Sequence, residues 1–229
     1  MAAIGNLKCY KTKDSRPKAG YTADLMAGVG GFPNDLGCLI KVGARTICVE
    51  VGKQNVSPAP PGGGPAIPPN AASVFLSYKV KCPKQTVNPA GLTDQFGAGT
   101  FTVKTPATLL VPALPGPAND HIECYKAKDA RAKARYTMDL IAGVSGFANE
   151  TGCTVQLGAR QVCVQVTKQN VTPPPPGGGP VPGPAAGTKF ISYKLKCPKA
   201  TVPPAGFTDQ FGAGTFIPGV AKTLLVPAQ

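Results

Sequence analysis

The feature that most constrains this chain is an internal repeat. Cys9, Cys38, Cys48 and Cys82 recur as Cys124, Cys153, Cys163 and Cys197, each 115 residues further on, with no insertion or deletion. Roughly two-thirds of the positions between Cys9 and Ala113 match their partners, a level that chance does not reach. The longest identical stretch, Thr93 to Phe101, returns as Thr208 to Phe216. A period of this length is that of a domain rather than of a solenoid unit, so residues 1–115 and 116–229 are expected to be two tandem β-rich domains.

The local patterns are those of strands. Cys38 to Val42 and Arg45 to Val51 alternate apolar and polar residues on either side of Gly43-Ala44, which reads as a hairpin; Cys153 to Leu157 and Gln161 to Val166 around Gly158-Ala159 repeat it. Such a turn sets Val155 opposite Val162 and Cys153 opposite Val164. Leu7–Lys13, Phe75–Cys82, Phe190–Cys197 and Thr100–Val103 are further strands, and Leu109–Val111 a short final one. Thr22–Val29 and Thr137–Val144 read as short helices. Many short strands among 28 Gly and 26 Pro predict an all-β fold, sandwich or barrel-like. Two long Pro/Gly-rich loops, Ser57–Asn70 and Thr172–Pro184, separate the hairpins from the following strands, and Leu114–Asp120 forms a short proline-stiffened junction.

These residues also carry a resemblance. Cys9-Tyr-Lys-x-Lys-Asp14, Asp94-Gln-Phe-Gly97 and Leu109-Leu-Val-Pro-Ala113, with their counterparts Cys124 to Asp129, Asp209 to Gly212 and Leu224 to Ala228, resemble an uncharacterised repeat family of secreted bacterial proteins. The resemblance spans both copies and implies an extracytoplasmic tandem β domain without known catalysis. Such sequences often carry a cysteine near the terminal Leu-Leu that is missing here, so no disulfide pattern follows from the family.

Eight cysteines without a Cys-x-x-Cys motif, and a single histidine, His121, whose counterpart is Asn6, point to structural disulfides rather than to zinc or redox chemistry. In the hairpin reading Cys38 and Cys48 lie on opposite faces, which disfavours bonding them to each other; Cys9 and Cys82 then take one each, in an order the sequence leaves open. Disulfides imply an oxidising compartment. No segment approaches the ~18 apolar residues of a membrane span, and Met1 opens without a signal peptide, from which a mature form is expected.

Catalysis finds no support. No Ser–His or Cys–His arrangement occurs in both copies, there is no carboxylate pair of glycosidase type, and the Gly triplets lie in proline loops rather than between a strand and a helix. No cofactor is implied. Asp94 and Asp209 read as braces for the turns before Phe96 and Phe211. The charge is informative: net +13, divided as 12 Lys+Arg against 5 Asp+Glu in residues 1–115 and 12 against 6 in the remainder. Lys11, Lys13, Lys79 and Lys81, repeated as Lys126, Lys128, Lys194 and Lys196, are spaced by two. On strands they form a basic stripe suited to a polyanion. No motif supports specific nucleic-acid binding. Asn55-Val-Ser, Asn170-Val-Thr and Asn149-Glu-Thr are N-glycosylation sequons, and Ser57 and Thr172 could carry O-linked sugars.

The sequence therefore predicts an extracellular structural protein that packs head to tail into a filament or surface assembly. In support, ten residues separate Ala113 from Cys124, and nine would separate Ala228 from Cys9 of a following molecule. The alternative is a secreted module that binds anionic glycan or a cell surface.

Overall fold

In Asp35–Ser57, apolar side chains fall on every second position over most of the length, and β-branched residues are frequent. Such a segment hides one edge of its pleat and prefers an extended backbone. In the computed structural model, which describes residues 5–62, 73–113, 121–177 and 187–229, this segment is one unbroken strand. The described residues hold strands and no helix. The first copy contributes β1 (Asn6–Asp14), β2 (Gly20–Ala27), β3 (Asp35–Ser57), β4 (Val74–Lys81), β5 (Ala90–Asp94) and β6 (Gly97–Pro112). The second contributes β7 (His121–Asp129), β8 (Arg135–Ala142), β9 (Glu150–Thr172), β10 (Lys189–Lys196), β11 (Ala205–Asp209) and β12 (Gly212–Ala228). The protein is all-β, one large antiparallel sheet stapled by four disulfides.

Three sequence expectations are corrected. The predicted hairpins are absent: Gly43-Ala44 lies inside β3 and Gly158-Ala159 inside β9. The glycines do adopt the left-handed backbone a turn would need, at φ of 111° and 107°. They use it for bulges, and the β3–β4 register slips between Lys41 and Thr46. Val155 and Val162 consequently share one strand, pairing with Tyr136 and Tyr125 respectively. The predicted helix Thr22–Val29 is largely β2, because Tyr21, Ala23 and Leu25 are buried alternately, with period two; Thr137–Val144 becomes β8 in the same way. The short strands Thr100–Val103 and Leu109–Val111 are two parts of the single strand β6. The junction 114–120 and the bulk of both proline loops, 63–72 and 178–186, lie outside the described residues.

The copies are not hydrogen-bonded separately. Pairings run β1–β3–β4–β6–β7–β9–β10–β12 and return to β1, and the ring crosses between copies twice, at β6–β7 and at β12–β1. The two crossings have the same register: Thr108 faces Cys124 as Thr223 faces Cys9, and Leu110 faces Ile122 as Leu225 faces Leu7. Beyond the ring, the ends of β3 and β9 reach across to β8 and β2. The main core accordingly draws on both copies, with Ile47, Leu76 and Tyr78 beside Val162, Ile191 and Tyr193. A second cluster gathers Leu7, Cys9, Cys48, Phe75 and Leu110 with Ile122, Cys124, Cys163, Phe190 and Leu225.

The disulfides join Cys9 to Cys48, Cys38 to Cys82, Cys124 to Cys163 and Cys153 to Cys197. Cys38 and Cys48 are not bonded to each other, although it is the register shift between Lys41 and Thr46, not a hairpin turn, that puts them on opposite faces.

Candidate anion-binding site

Three adjacent strands set Gly20, Lys41 and Lys79 in one row, since Gly20 pairs with Lys41 and Lys41 with Lys79. Directly opposed residues share a face of the sheet, and like charges so placed repel. Arg45, four residues beyond Lys41 across the Gly43 bulge, and Lys18, just before β2, complete an open concavity of about 610 Å³ whose lining holds four cations and no acid. Lys79 feels this field. Arg45 first, then Lys81, Lys41 and Lys126, hold the Lys79 ammonium below its ordinary pKa.

The nearest carboxylate is already committed. Asp14 accepts hydrogen bonds from the Ala44 N–H at 2.6 Å and from Arg16 at 2.8 Å, and these bonds hold its carboxyl below the usual carboxylate range despite burial. It props the bulge from beneath and neutralises Arg16 rather than the concavity. The second copy lacks an equal site. There the row is Arg135, Gln156 and Lys194: the glycine that leaves room has become an arginine, and the central lysine a glutamine.

The Lys pairs expected from sequence are on strands, with Lys11, Lys13, Lys81, Lys126, Lys128 and Lys196 exposed and Lys79 and Lys194 half-buried. Their grouping also crosses between the copies. Lys79 faces Thr108, which faces Cys124 two residues before Lys126, so a cation of the second copy joins the group of the first. Lys194 and Lys11 are related in the same way through Thr223 and Cys9. Sequence reasoning missed Lys18, Lys41 and Arg45, because the hairpin reading broke β3 at Gly43. The available signal was parity: residues 41, 43 and 45 lie on one side of an unbroken strand.

The sequon asparagines have structural duties. Asn55 and Asn170 adopt φ of 52°, a conformation asparagine tolerates better than most residues. Their side-chain amides donate to Asp139 and Asp24 across the copies at 2.7 Å. Asn149 accepts from the Ala142 N–H just as Asn34 accepts from Ala27. Ser57 and Thr172 end β3 and β9 and are exposed. Asp94 and Asp209 brace their turns as expected, accepting the Phe96 and Phe211 N–H groups at 2.8 Å.

A separate group is fully interior. Tyr125 donates to Asp35 at 2.6 Å and to Glu123 at 3.1 Å. Burial first, then the neighbouring Asp35, raise Glu123 well above the carboxylate range, and burial raises Asp35. At the equivalent place Lys8 lies 3.7 Å from Glu150, and Tyr10 donates to the same carboxylate. No helix among the described residues is long and apolar enough to cross a membrane. Compared with known proteins, the chain matches no family model, no curated protein and no solved structure.

Proposed function

We propose that this protein is an extracytoplasmic, non-catalytic module that binds an anionic polysaccharide or an anionic cell surface through the concavity of Lys18, Lys41, Arg45 and Lys79. The observation that carries the reading is that opposed Lys41 and Lys79 occupy an open recess with no acid in its lining. Repulsion of this kind costs stability unless a counter-anion relieves it. Four disulfides suit an oxidising compartment, in keeping with the resemblance to secreted bacterial repeat proteins.

The test is retention on immobilised heparin across a salt gradient. Lys41→Gln with Lys79→Gln should elute at clearly lower salt, since each lost contact reduces the salt-dependent part of binding. Gly20→Arg separates shape from charge. It copies the second half of the molecule, adding a cation while filling the recess, so weaker retention would support a shaped site and stronger retention a mere charge effect. Passage of the unaltered protein through the column at low salt would sink the proposal.

A second reading, a head-to-tail filament, is favoured by one observation: the β12–β1 and β6–β7 crossings have the same register. β12 of one molecule could therefore dock on β1 of the next with the contacts it makes at home, a strand exchange that need not close. Negative-stain images at high concentration should then show linear particles, and uniform monomers would exclude it. Sugar at Asn55, Asn170, Asn149, Ser57 or Thr172 belongs with either reading and would add mass to the 23.4 kDa chain.

A further inference from the structure

Lys53 and Lys168 occupy equivalent positions near the ends of β3 and β9, and both are buried, at 4% and 2% exposure. A buried lysine is ordinarily paired with a carboxylate. Neither of these makes a salt bridge among the described residues. The Lys53 Nζ instead donates to the Oε1 of Gln95, in the Asp94–Gly97 turn, and the Nε2 of that glutamine is buried with no hydrogen-bond partner. In the other half the Lys168 Nζ and the Gln210 Nε2 are both buried without hydrogen bonds, and the Gln210 side chain meets His121 instead of Lys168. Unpartnered interior donors are uncommon enough that each requires an explanation, and here the equivalent glutamine amide is unpartnered in both halves.

After β3 the chain passes directly over the turn: the Gly62 N–H donates to the Gln95 carbonyl at 2.9 Å, and a Cβ on Gly62 would come within 2.8 Å of that oxygen. Gly177 repeats this over Gln210, its N–H at 2.8 Å from the carbonyl. The Lys168 Nζ also lies 5.1 Å from the centre of the Phe211 ring. Burial lowers the Lys53 ammonium to about 7, against a partial upward pull from Asp94, so a large share of the amine carries a free lone pair near neutral pH. Burial also lowers the Lys168 ammonium well below its ordinary value, against a partial upward pull from Asp209.

We infer that Lys53 and Gln95, which the fold brings into contact, and by the equivalence of the two halves Lys168 and Gln210, are sites of an intramolecular amide cross-link. The Nζ lone pair attacks the side-chain carbonyl carbon of the glutamine, the bond from that carbon to Nε2 breaks, and ammonia leaves. One proton moves from Nζ to the departing nitrogen. Nothing is oxidised or reduced and no co-reactant is needed. The product replaces a buried amine and a buried carboxamide by a single secondary amide, which removes most of the unpartnered donors at once. It also ties β3 to the β5–β6 turn, and β9 to the β11–β12 turn, by bonds that reducing agents do not open.

Mass spectrometry of the purified, unaltered protein tests this. The intact mass of the disulfide-bonded chain should fall short of the sequence mass, corrected for four disulfides, by one ammonia per link and by two at most. After reduction, alkylation and proteolysis, the peptide containing Lys53 should be found joined to the one containing Gln95, and Lys168 to Gln210. Lys53→Arg should restore one ammonia and leave the second link, with Lys168→Arg doing the reverse. Recovery of Lys53, Gln95, Lys168 and Gln210 only in separate linear peptides would overturn the inference, as would an ammonia loss mapped entirely to other residues. The mapping needs only the native protein, so it stands even if a variant fails to fold.

Discussion

Arg16, in the first copy, donates to Asp209, in the second, at 2.8 Å, and Arg131 repeats the contact on Asp94 at 3.1 Å. Each guanidinium is also held by the aspartate two residues before it, reaches the carbonyl of Gly212 or Gly97, and meets a tyrosine hydroxyl, Tyr78 or Tyr193. Both partners are almost entirely buried. The two knots therefore fasten a loop of one copy to a turn of the other, and they do so reciprocally.

Removing one partner leaves a buried charge without compensation. Arg16→Met should cost about 3–5 kcal/mol, read as a lower denaturant midpoint. Arg16→Lys should recover little of this, because a single ammonium cannot span Asp14, Asp209 and the Gly212 carbonyl together. A loss below about 1 kcal/mol, the range of exposed pairs, would show that the knot is not a principal tie between the copies.

The interior carboxyls give a pH signature. Glu123 and Asp35 have folded-state pKa values raised above the unfolded ones, so the native state binds more protons. Their contribution is fully present below the unfolded value of about 4 and is lost as pH rises through the raised values. Glu123→Lys would set an ammonium against Asp35, as Lys8 is set against Glu150. It should raise stability near pH 7 and flatten its decline between about pH 4 and pH 8, measured as urea midpoints. An unchanged slope would mean that Glu123 does not govern it.

Separated halves should behave unequally. Because each copy completes its sheet on the other, neither should fold as a monomer. Two copies of residues 1–113 would bring Lys8 of one against Asp35 of the other, a favourable pair. Two copies of 121–229 would bring Glu123 against Glu150, two buried acids. The first fragment should form a folded homodimer and the second should not, while the mixture forms a heterodimer; light scattering with circular dichroism reads all three. A monomeric, cooperatively melting half would refute the argument.

The disulfides close chain segments of similar length, with separations of 39 and 44 residues. Replacing both cysteines of either bridge by Ala should cost about 2–4 kcal/mol in the chain-entropy account. Equivalent bridges of the two copies should cost the same within error, by calorimetry. A large inequality would mean that the halves are constrained differently when unfolded.

Local chemistry written in the chain was legible: the repeat, the strand character of Leu7–Lys13 and Phe75–Cys82, and the Asp94 and Asp209 braces. Each depends on neighbours a few residues away or on strict two-residue alternation. The site was only half legible. Lys79 was visible by its spacing from Lys81, while Lys41 and Arg45 were hidden by a glycine whose left-handed backbone serves a turn and a bulge equally well. Choosing between them required knowing that β4 pairs with β3 on both sides of that point.

The repeat alone thus determined that every contact would occur twice, with the differences, such as Lys8 for Glu123 and Gly20 for Arg135, marking where the halves diverge. What only the tertiary structure decided is which copy supplies the partner. A strand carries the same unpaired N–H and C=O groups whichever strand meets it, so its sequence cannot say whether β1 completes its pairing within its own copy or on β12. That choice is made by closure. Joining each copy's first strand to the other's last leaves neither of these strands with an open edge, and it turns two similar sequences into one interlocked sheet.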